Sequence, residues 1–237
     1  MNRRFTNIIR YCMDEFIPPI VRNSRWFMRP FYWIAYRGRD IQEKMDFKTL
    51  VKNFTPAQYK DFYARLRSIS RSRQTDLSES NIRFILKNID PGTHSLLDVG
   101  CGKGYLLQKI NEQYPGIEVA GMDVVNAMSD KSISFYERDI SATGFPSNHF
   151  DTVICTHTIE HLVNLQECIE ELVRITKKHL IIVTPCQRYF YYTLDEHVNF
   201  FPKKEMLECL FPFTSYVCKK VGLDWVYIGY KAEQSGT

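Results

Sequence analysis

The chemistry in this sequence starts from three glycines at alternate positions, Gly100, Gly102 and Gly104, with an acid, Asp98, two residues ahead of the first. Glycine there lets the backbone take positive φ and lets a ligand approach closely. The apolar run Leu96-Leu97-Asp98-Val99 leads into the turn, and Tyr105-Leu106-Leu107 continues beyond it in a helical pattern. The stretch reads as strand, tight loop and helix start, and a helix start offers unpaired N–H groups that attract negative charge. A second acid, Asp123, follows 19 residues after Gly104. A carboxylate brought back beside the loop at the end of the next strand can accept bonds from both hydroxyls of a ribose. Its other use is to cap the short helix that follows.

The spacing separates the nucleotides. A dinucleotide fingerprint would require Gly-x-Gly-x-x-Gly, and the third glycine would then fall at Tyr105. The pattern present is Asp-x-Gly-x-Gly-x-Gly, which resembles the cofactor loop of the class I S-adenosylmethionine-dependent methyltransferases. That resemblance spans residues of about 90–231. It implies S-adenosylmethionine as cofactor, with Asp98, Gly100, Gly102 and Gly104 around its aminoacyl group and ribose and Asp123 on the ribose hydroxyls. It also implies Asp139 and Ile140 against the adenine, and Thr156 at the head of the segment Thr156–Leu162 that follows the fourth strand. Helices ahead of the first strand cover the cofactor in this family, which makes Tyr63 and Arg73 candidates for its carboxylate.

On the acceptor side, the segment from Tyr189 to Pro202 is aromatic and irregular, with His197 in its middle. It lies beyond the carboxyl end of a strand, where open α/β sheets bind ligands. Tyr189, Tyr191 and Tyr192 are expected to enclose an acceptor. A hydroxyl acceptor is a poor nucleophile, and histidine is matched to take its proton near pH 7. His197 is the expected base, with Asp195 or Glu196 to hold its tautomer, and His161 is the second catalytic candidate. Packing within a folded loop is the competing explanation for each histidine. His157-Thr158-Ile159-Glu160-His161 also spells the inverted zincin pattern. No helix frames the pair, because the first histidine leaves a strand directly, so no resident metal is assigned. A metal-assisted methyltransferase acting on RNA through Glu160, His157 and His161 stands as an alternative, as does a non-catalytic cofactor-binding or scaffold protein.

The elements that would position these residues alternate. Strands are expected at 96–99, 117–123, 132–136, 150–155 and 179–185, with helical stretches between them. That alternation is the signature of a parallel sheet covered on both faces. The helix after Asn164 has Cys168, Ile169 and Leu172 on one face and Asn164 as its expected cap. A helix over 203–210 and strands over 213–221 and 224–231, joined at Gly222, close the chain as an antiparallel hairpin. The expected fold is α/β, a doubly wound and mostly parallel seven-stranded sheet. Ahead of it, Pro56 opens a helix marked by Tyr59, Phe62, Tyr63 and Leu66, Arg71–Asp76 interrupts, and a second helix starts at Ser78 and stops before Pro91. The domain division is residues 1–58 as a basic, aromatic extension and 59–237 as the methyltransferase domain.

Composition bounds the partners. The 237 residues hold 44% hydrophobic and 24% charged side chains, an ordinary globular balance. The net charge is +4, but residues 1–48 carry ten Lys/Arg against five Asp/Glu. Within them Ile17-Pro18-Pro19-Ile20 breaks any helix, and Arg25–Arg37 interleaves large aromatics with arginines, so this arm is expected to be the least regular part. Such a surface suits packing on the enzyme's own domain, a membrane interface, or a polyanion. No nucleic-acid module is recognisable. The seven cysteines form no Cys-x-x-Cys pair, and apolar runs stop far short of the roughly 20 residues a membrane span needs. The chain reads as cytoplasmic, with reversible membrane contact through residues 1–48 among its partners. The acceptor class is a small molecule, lipid or saccharide methylated on oxygen.

Overall fold

The computed structural model describes residues 3–65 and 73–232, and the expectations at Leu66, Arg71 and Ser72 lie outside them. The chain divides into two compact units, residues 1–76 with 188–200, and residues 77–187 with 201–237.

The first unit is helical where the arm was expected to be irregular. It contains α1 (Arg3–Phe16), α2 (Pro19–Arg22), α3 (Arg25–Tyr36), α4 (Ile41–Leu50) and α5 (Pro56–Arg65). Pro18-Pro19 does break the chain between α1 and α2, and Pro19 then serves as a first-turn proline, where its missing N–H is not needed. The aromatic run continues as α3 through Pro30. Proline there removes a donor for the carbonyl of Trp26, and both residues are exposed, so water can take that carbonyl. Burial of Met28, Tyr32 and Tyr36 at a spacing of four repays the break. Those side chains pack with Met13, Met45 and Tyr192, and Phe47, Val51 and Phe62 form a smaller cluster.

Buried polar groups bind the segment 188–200 to these helices. Lys48 Nζ donates to the carbonyls of Phe190 (2.7 Å) and Tyr191 (2.9 Å) and to Thr193 Oγ1 (2.8 Å). Arg22 donates to the carbonyl of Tyr192 and pairs with Asp14 at 3.2 Å.

The second unit is a seven-stranded sheet. In chain order it has α6 (Glu79–Lys87), β1 (Ser95–Val99), α7 (Tyr105–Gln113), β2 (Glu118–Asp123), β3 (Ser134–Glu137), β4 (Phe150–Thr156), α8 (Leu165–Ile175), β5 (Thr176–Pro185), α9 (Lys204–Glu208), β6 (Ser215–Val221) and β7 (Asp224–Tyr230). The spatial order is β3-β2-β1-β4-β5-β7-β6, parallel through β5 and antiparallel at β5-β7 and β7-β6. Period-two alternation sorts the strand residues onto two faces. Leu97, Val153, Leu180, Ile182 and Tyr227 join the core under α8 and α9, whereas Leu96, Ile154, Ile181, Val226 and Ile228 join the core under α6 and α7.

Boundaries moved in places. β3 starts two residues later than expected, α9 is shorter, and β5 begins at Thr176 because the register with β4 shifts between Phe150 and Thr152. Ser78 caps α6 by accepting from the Asn81 N–H, but Asn164 makes no side-chain cap at α8, with backbone angles outside the extended region that cap needs.

Replacing Lys48 by methionine leaves two carbonyls and a hydroxyl without their donor in a buried setting. Lys48→Met is expected to cost about 1–3 kcal/mol in urea denaturation. An unchanged midpoint would show that water replaces the ammonium.

Candidate functional site

The glycine loop in the second unit is pinned to the end of β2 by its backbone N–H groups. Gly100, Gly102 and Gly104 have φ of 74°, 52° and 74°. The N–H groups of Gly100 and Cys101 both bond to the carbonyl of Met122 on β2, at 2.7 and 3.2 Å. A Cβ at Gly100 would sit 2.1 Å from Thr158 Oγ1, so the loop after β4 closes on this position. A Cβ at Gly102 would meet nothing within 4 Å, and the space beside that backbone is open. Gly104 is the N-cap of α7 in the left-handed region, and no side chain caps that helix. The first-turn N–H groups of α7 therefore keep their capacity for an anionic group.

Asp98 and Asp123 stand at the loop, and Asp139 follows β3. Asp123 Oδ2 accepts from the Gly102 N–H at 2.9 Å, and its Oδ1 from the Val124 N–H at 2.7 Å. The loop and the end of β2 are thereby fixed to each other; Oδ1 also accepts from the Val125 N–H at 3.5 Å, and Oδ2 keeps a further lone pair for a ligand hydroxyl. Burial raises the Asp123 carboxyl against these bonds. Asp98 is buried on β1 and its Oδ1 has no hydrogen-bond partner. Asp139 is exposed and caps its own turn, accepting from the backbone and hydroxyl of Ser141 at 2.8 and 2.7 Å. Ile140 beside it is in the core.

Past β4 the chain forms a network that sequence reasoning did not assign. Thr156 ends the strand opposite Val183, and its carbonyl accepts from Thr158 Oγ1 at 3.0 Å. His157 takes φ of 50° and donates its N–H to the Val183 carbonyl. Its Nδ1 lies 3.3 Å from Glu160 Oε1 and its Nε2 3.7 Å from Asp224 Oδ2. Glu160 also accepts from Thr184 Oγ1, and Asp224 from Asn81 Nδ2. Burial alone would lower the His157 imidazole, but its bonds to Asp224 and Glu160 carry it up to about 10. A single turn, Ile159–His161, follows, so no helix holds the two histidines of the zincin spacing on one face. His161 sits half-buried on this turn.

The remaining candidates belong to the first unit. His197 is buried, with Nδ1 3.3 Å from Asp195 Oδ2. Tyr189 is exposed, and Tyr191 bonds through its hydroxyl to Thr49 Oγ1 at 2.6 Å and lines a small cleft with Tyr32, Lys48 and Glu196. The ring of Tyr192 packs in the core beside Met28 and Tyr32, which accounts for it without an acceptor. Tyr63 packs among Tyr59 and Phe62, and Arg73 pairs with Asp76 at 3.0 Å. Sequence reasoning missed Asp224, Asn81, the fixed state of His157, and Gly121. The last had a signal, since a glycine inside a strand pattern marks a close approach.

Burial first, and then the charge of Asp123, pushes the Asp98 carboxyl up to about 8. The fold holds a proton there that the unfolded chain releases near pH 4, so stability falls as pH rises from about 4 to about 8. In Asp98→Asn the melting temperature is expected to lose that part of its pH dependence. Parallel profiles for the two proteins would show Asp98 to be ionised in the fold.

Comparisons with known proteins bear on the domain that holds these residues. Residues 97–183 match the family model described as a methyltransferase domain. The bifunctional methionine biosynthesis protein MetXA/MetW of Rhodopirellula baltica is 30% identical over 54% of this chain and 23% of its own. A probable chloroplastic tocopherol O-methyltransferase of Oryza sativa is 29% identical over 50% of this chain and 37% of its own. The chain thus spans less than half the length of these curated relatives. Among solved structures, a phosphoethanolamine N-methyltransferase 2 of Haemonchus contortus, in complex with S-adenosyl-L-methionine, shares the fold. Its TM-score is 0.57 and its identity 17%, over 68% of this chain and 45% of that one. An S-adenosylmethionine-dependent methyltransferase of Archaeoglobus fulgidus gives a TM-score of 0.53 and 18% identity over 73% of this chain and 99% of that one. Glycine loop, acid-ended strands and sheet order agree with the conclusion that residues 97–183 match a methyltransferase domain, on the fold shared with solved S-adenosylmethionine-dependent methyltransferases.

Proposed function

We propose that the protein transfers a methyl group from S-adenosylmethionine to an oxygen of a small-molecule, lipid or saccharide acceptor. The observation that carries the reading is the cradle itself. It combines open space beside Gly102, uncapped N–H groups at the start of α7, and Asp123 fixed against the loop. Those N–H groups suit the cofactor's carboxylate, Asp123 suits its ribose hydroxyls, and Asp139 with Ile140 suits its adenine. The sulfonium supplies a methyl that is already activated. The protein's share is then to align the acceptor and exclude water.

Oxygen as the acceptor atom draws support from relatives named as O-methyltransferases, one for tocopherol and one in ubiquinone biosynthesis in Rickettsia bellii. Reversible contact of residues 1–48 with a membrane surface belongs to the same reading. The alternative of a metal-assisted RNA methyltransferase drew on Glu160, His157 and His161. His157 and Glu160 lie against each other, Thr184 and Asp224, which favours a positioning role for them. Binding without catalysis is the other alternative, and labelled methyl transfer into a fractionated extract separates it from the enzyme.

Calorimetry tests the cradle. S-adenosylmethionine is expected to bind, and Asp123→Ala to weaken it by about 1–3 kcal/mol, the cost of leaving polar groups unpaired. Equal affinity would remove the ribose assignment, and tighter binding of NAD would remove the cofactor. For the base, His197 has Asp195 in place to hold its tautomer. His197→Gln at saturating donor is expected to lower kcat by about a hundredfold or more with donor affinity kept. A loss below about fivefold would leave alignment to explain the rate.

A further inference from the structure

The helix α3 has two faces, and the unusual one is the face turned to solvent. Met28, Tyr32 and Tyr36 are buried, with Phe27, Phe31 and Ala35 half-buried on the flanks. Trp26, Arg29, Pro30, Trp33 and Ile34 are all exposed, and they recur at spacings of three and four, one stripe along the helix, with Arg37 next in line at its C-cap. Trp26 is 73% exposed, Trp33 62% and Ile34 70%. Two tryptophans and an isoleucine on one stripe are not needed for the core, which the opposite face completes. Ile20 and Phe16, on the preceding helices, are also exposed, at 83% and 75%.

The charged side chains on the stripe itself are arginines, with the acid Asp40 exposed past its end. Arg29 and Arg37 lie on it, with Arg39 exposed just beyond, and residues 1–48 carry ten Lys/Arg against five Asp/Glu. Arg25 is spent on Asp46, at 2.8 Å, so it belongs to the fold and not to a partner. Tryptophan is the side chain of the headgroup boundary, where its ring can be buried while its N–H stays wet. Arginines beside it meet lipid phosphates, and their attraction depends on anionic lipid. Among the described residues no helix is long and apolar enough to cross a membrane. The partner these features fit is a surface to lie on.

The geometry points to the exposed stripe of α3 as a docking face for an anionic membrane surface, with Trp26, Trp33 and Ile34 entering the boundary and Arg29 and Arg37 on lipid phosphates. This rests on the membrane contact in the functional reading above and narrows it. Phe27, Phe31 and Arg25, which belong to the same aromatic and basic run, pack or pair within the unit and are not part of the face.

The test uses the full chain and vesicles of phosphatidylcholine, alone or with about a third phosphatidylserine. Wild-type protein is expected to sediment with the anionic vesicles and its tryptophan emission to shift to the blue. The double variant Trp26→Ser/Trp33→Ser, at exposed positions, is expected to partition at least about tenfold more weakly. Arg29→Glu and Arg37→Glu are each expected to weaken binding about fivefold or more at low salt, and not on neutral vesicles. Equal sedimentation of wild type and double variant overturns the assignment of this face, as does binding that ignores lipid charge. A wild-type dimer that the double variant abolishes also overturns it, because the face would then belong to a second copy. S-adenosylmethionine affinity is measured on the same samples. Intact affinity with failed vesicle binding removes this docking face and leaves the cofactor reading standing.

Discussion

The cradle depends on how closely β2 can pass the glycine loop, and Gly121 sets that distance. A Cβ there would lie 2.7 Å from Cys101 Sγ, 2.8 Å from Met128 Sδ and 3.0 Å from Leu107 Cδ1. Loop, first turn of α7 and the segment after β2 all converge on the one residue without a side chain. Because β2 passes so near, the Met122 carbonyl reaches the N–H groups of Gly100 and Cys101, and Asp123 reaches Gly102. The positive φ angles of the loop are then a consequence of two strands being pinned side by side. They are held by bonds from outside the loop and do not rest on glycine's freedom alone.

Each unit also uses a largely buried cation to join segments far apart in sequence. In the second unit His157 stands between Glu160, one turn on, and Asp224 at the start of β7, with Asn81 of α6 behind it. In the first unit Lys48 of α4 reaches the backbone of 190–193. Burial drives the Lys48 ammonium down to about 8, whereas two carboxylates hold the His157 imidazolium up. The difference is in the partners. Neutral carbonyls solvate a cation without offsetting its desolvation, and carboxylates more than offset it.

The sheet and its glycine loop were legible because both are local. A strand shows its period, and Gly100, Gly102 and Gly104 declare a turn without reference to anything distant. The N-terminal arm was misread as irregular for an equally local reason. Two prolines and a third at Pro30 argue against helix, while the buried spacing of Met28, Tyr32 and Tyr36 becomes visible only once something packs on it. Asp224 and Asn81 read as a turn residue and a polar helix position. What makes them a buried pair is the return of β7 beside β5, 143 residues later, and no window of sequence contains that. Tyr192 is the reverse case, an aromatic in a suggestive segment whose ring simply fills a core.

The order β5-β7-β6 has a consequence for assembly on a growing chain. β6 is made before β7, yet it has no place in the sheet without it, since among the described residues β7 is its only neighbour in the order. A chain that has emerged only as far as Val221 therefore carries β5 with an open edge and β6 with nothing to bond to. An unpaired edge of Leu180, Ile181, Ile182 and Val183 is a template for pairing with other chains. The hairpin must fold on itself at Gly222 and dock as a finished piece. A premature stop in the short span between the two strands should then turn a folding intermediate into an aggregating one.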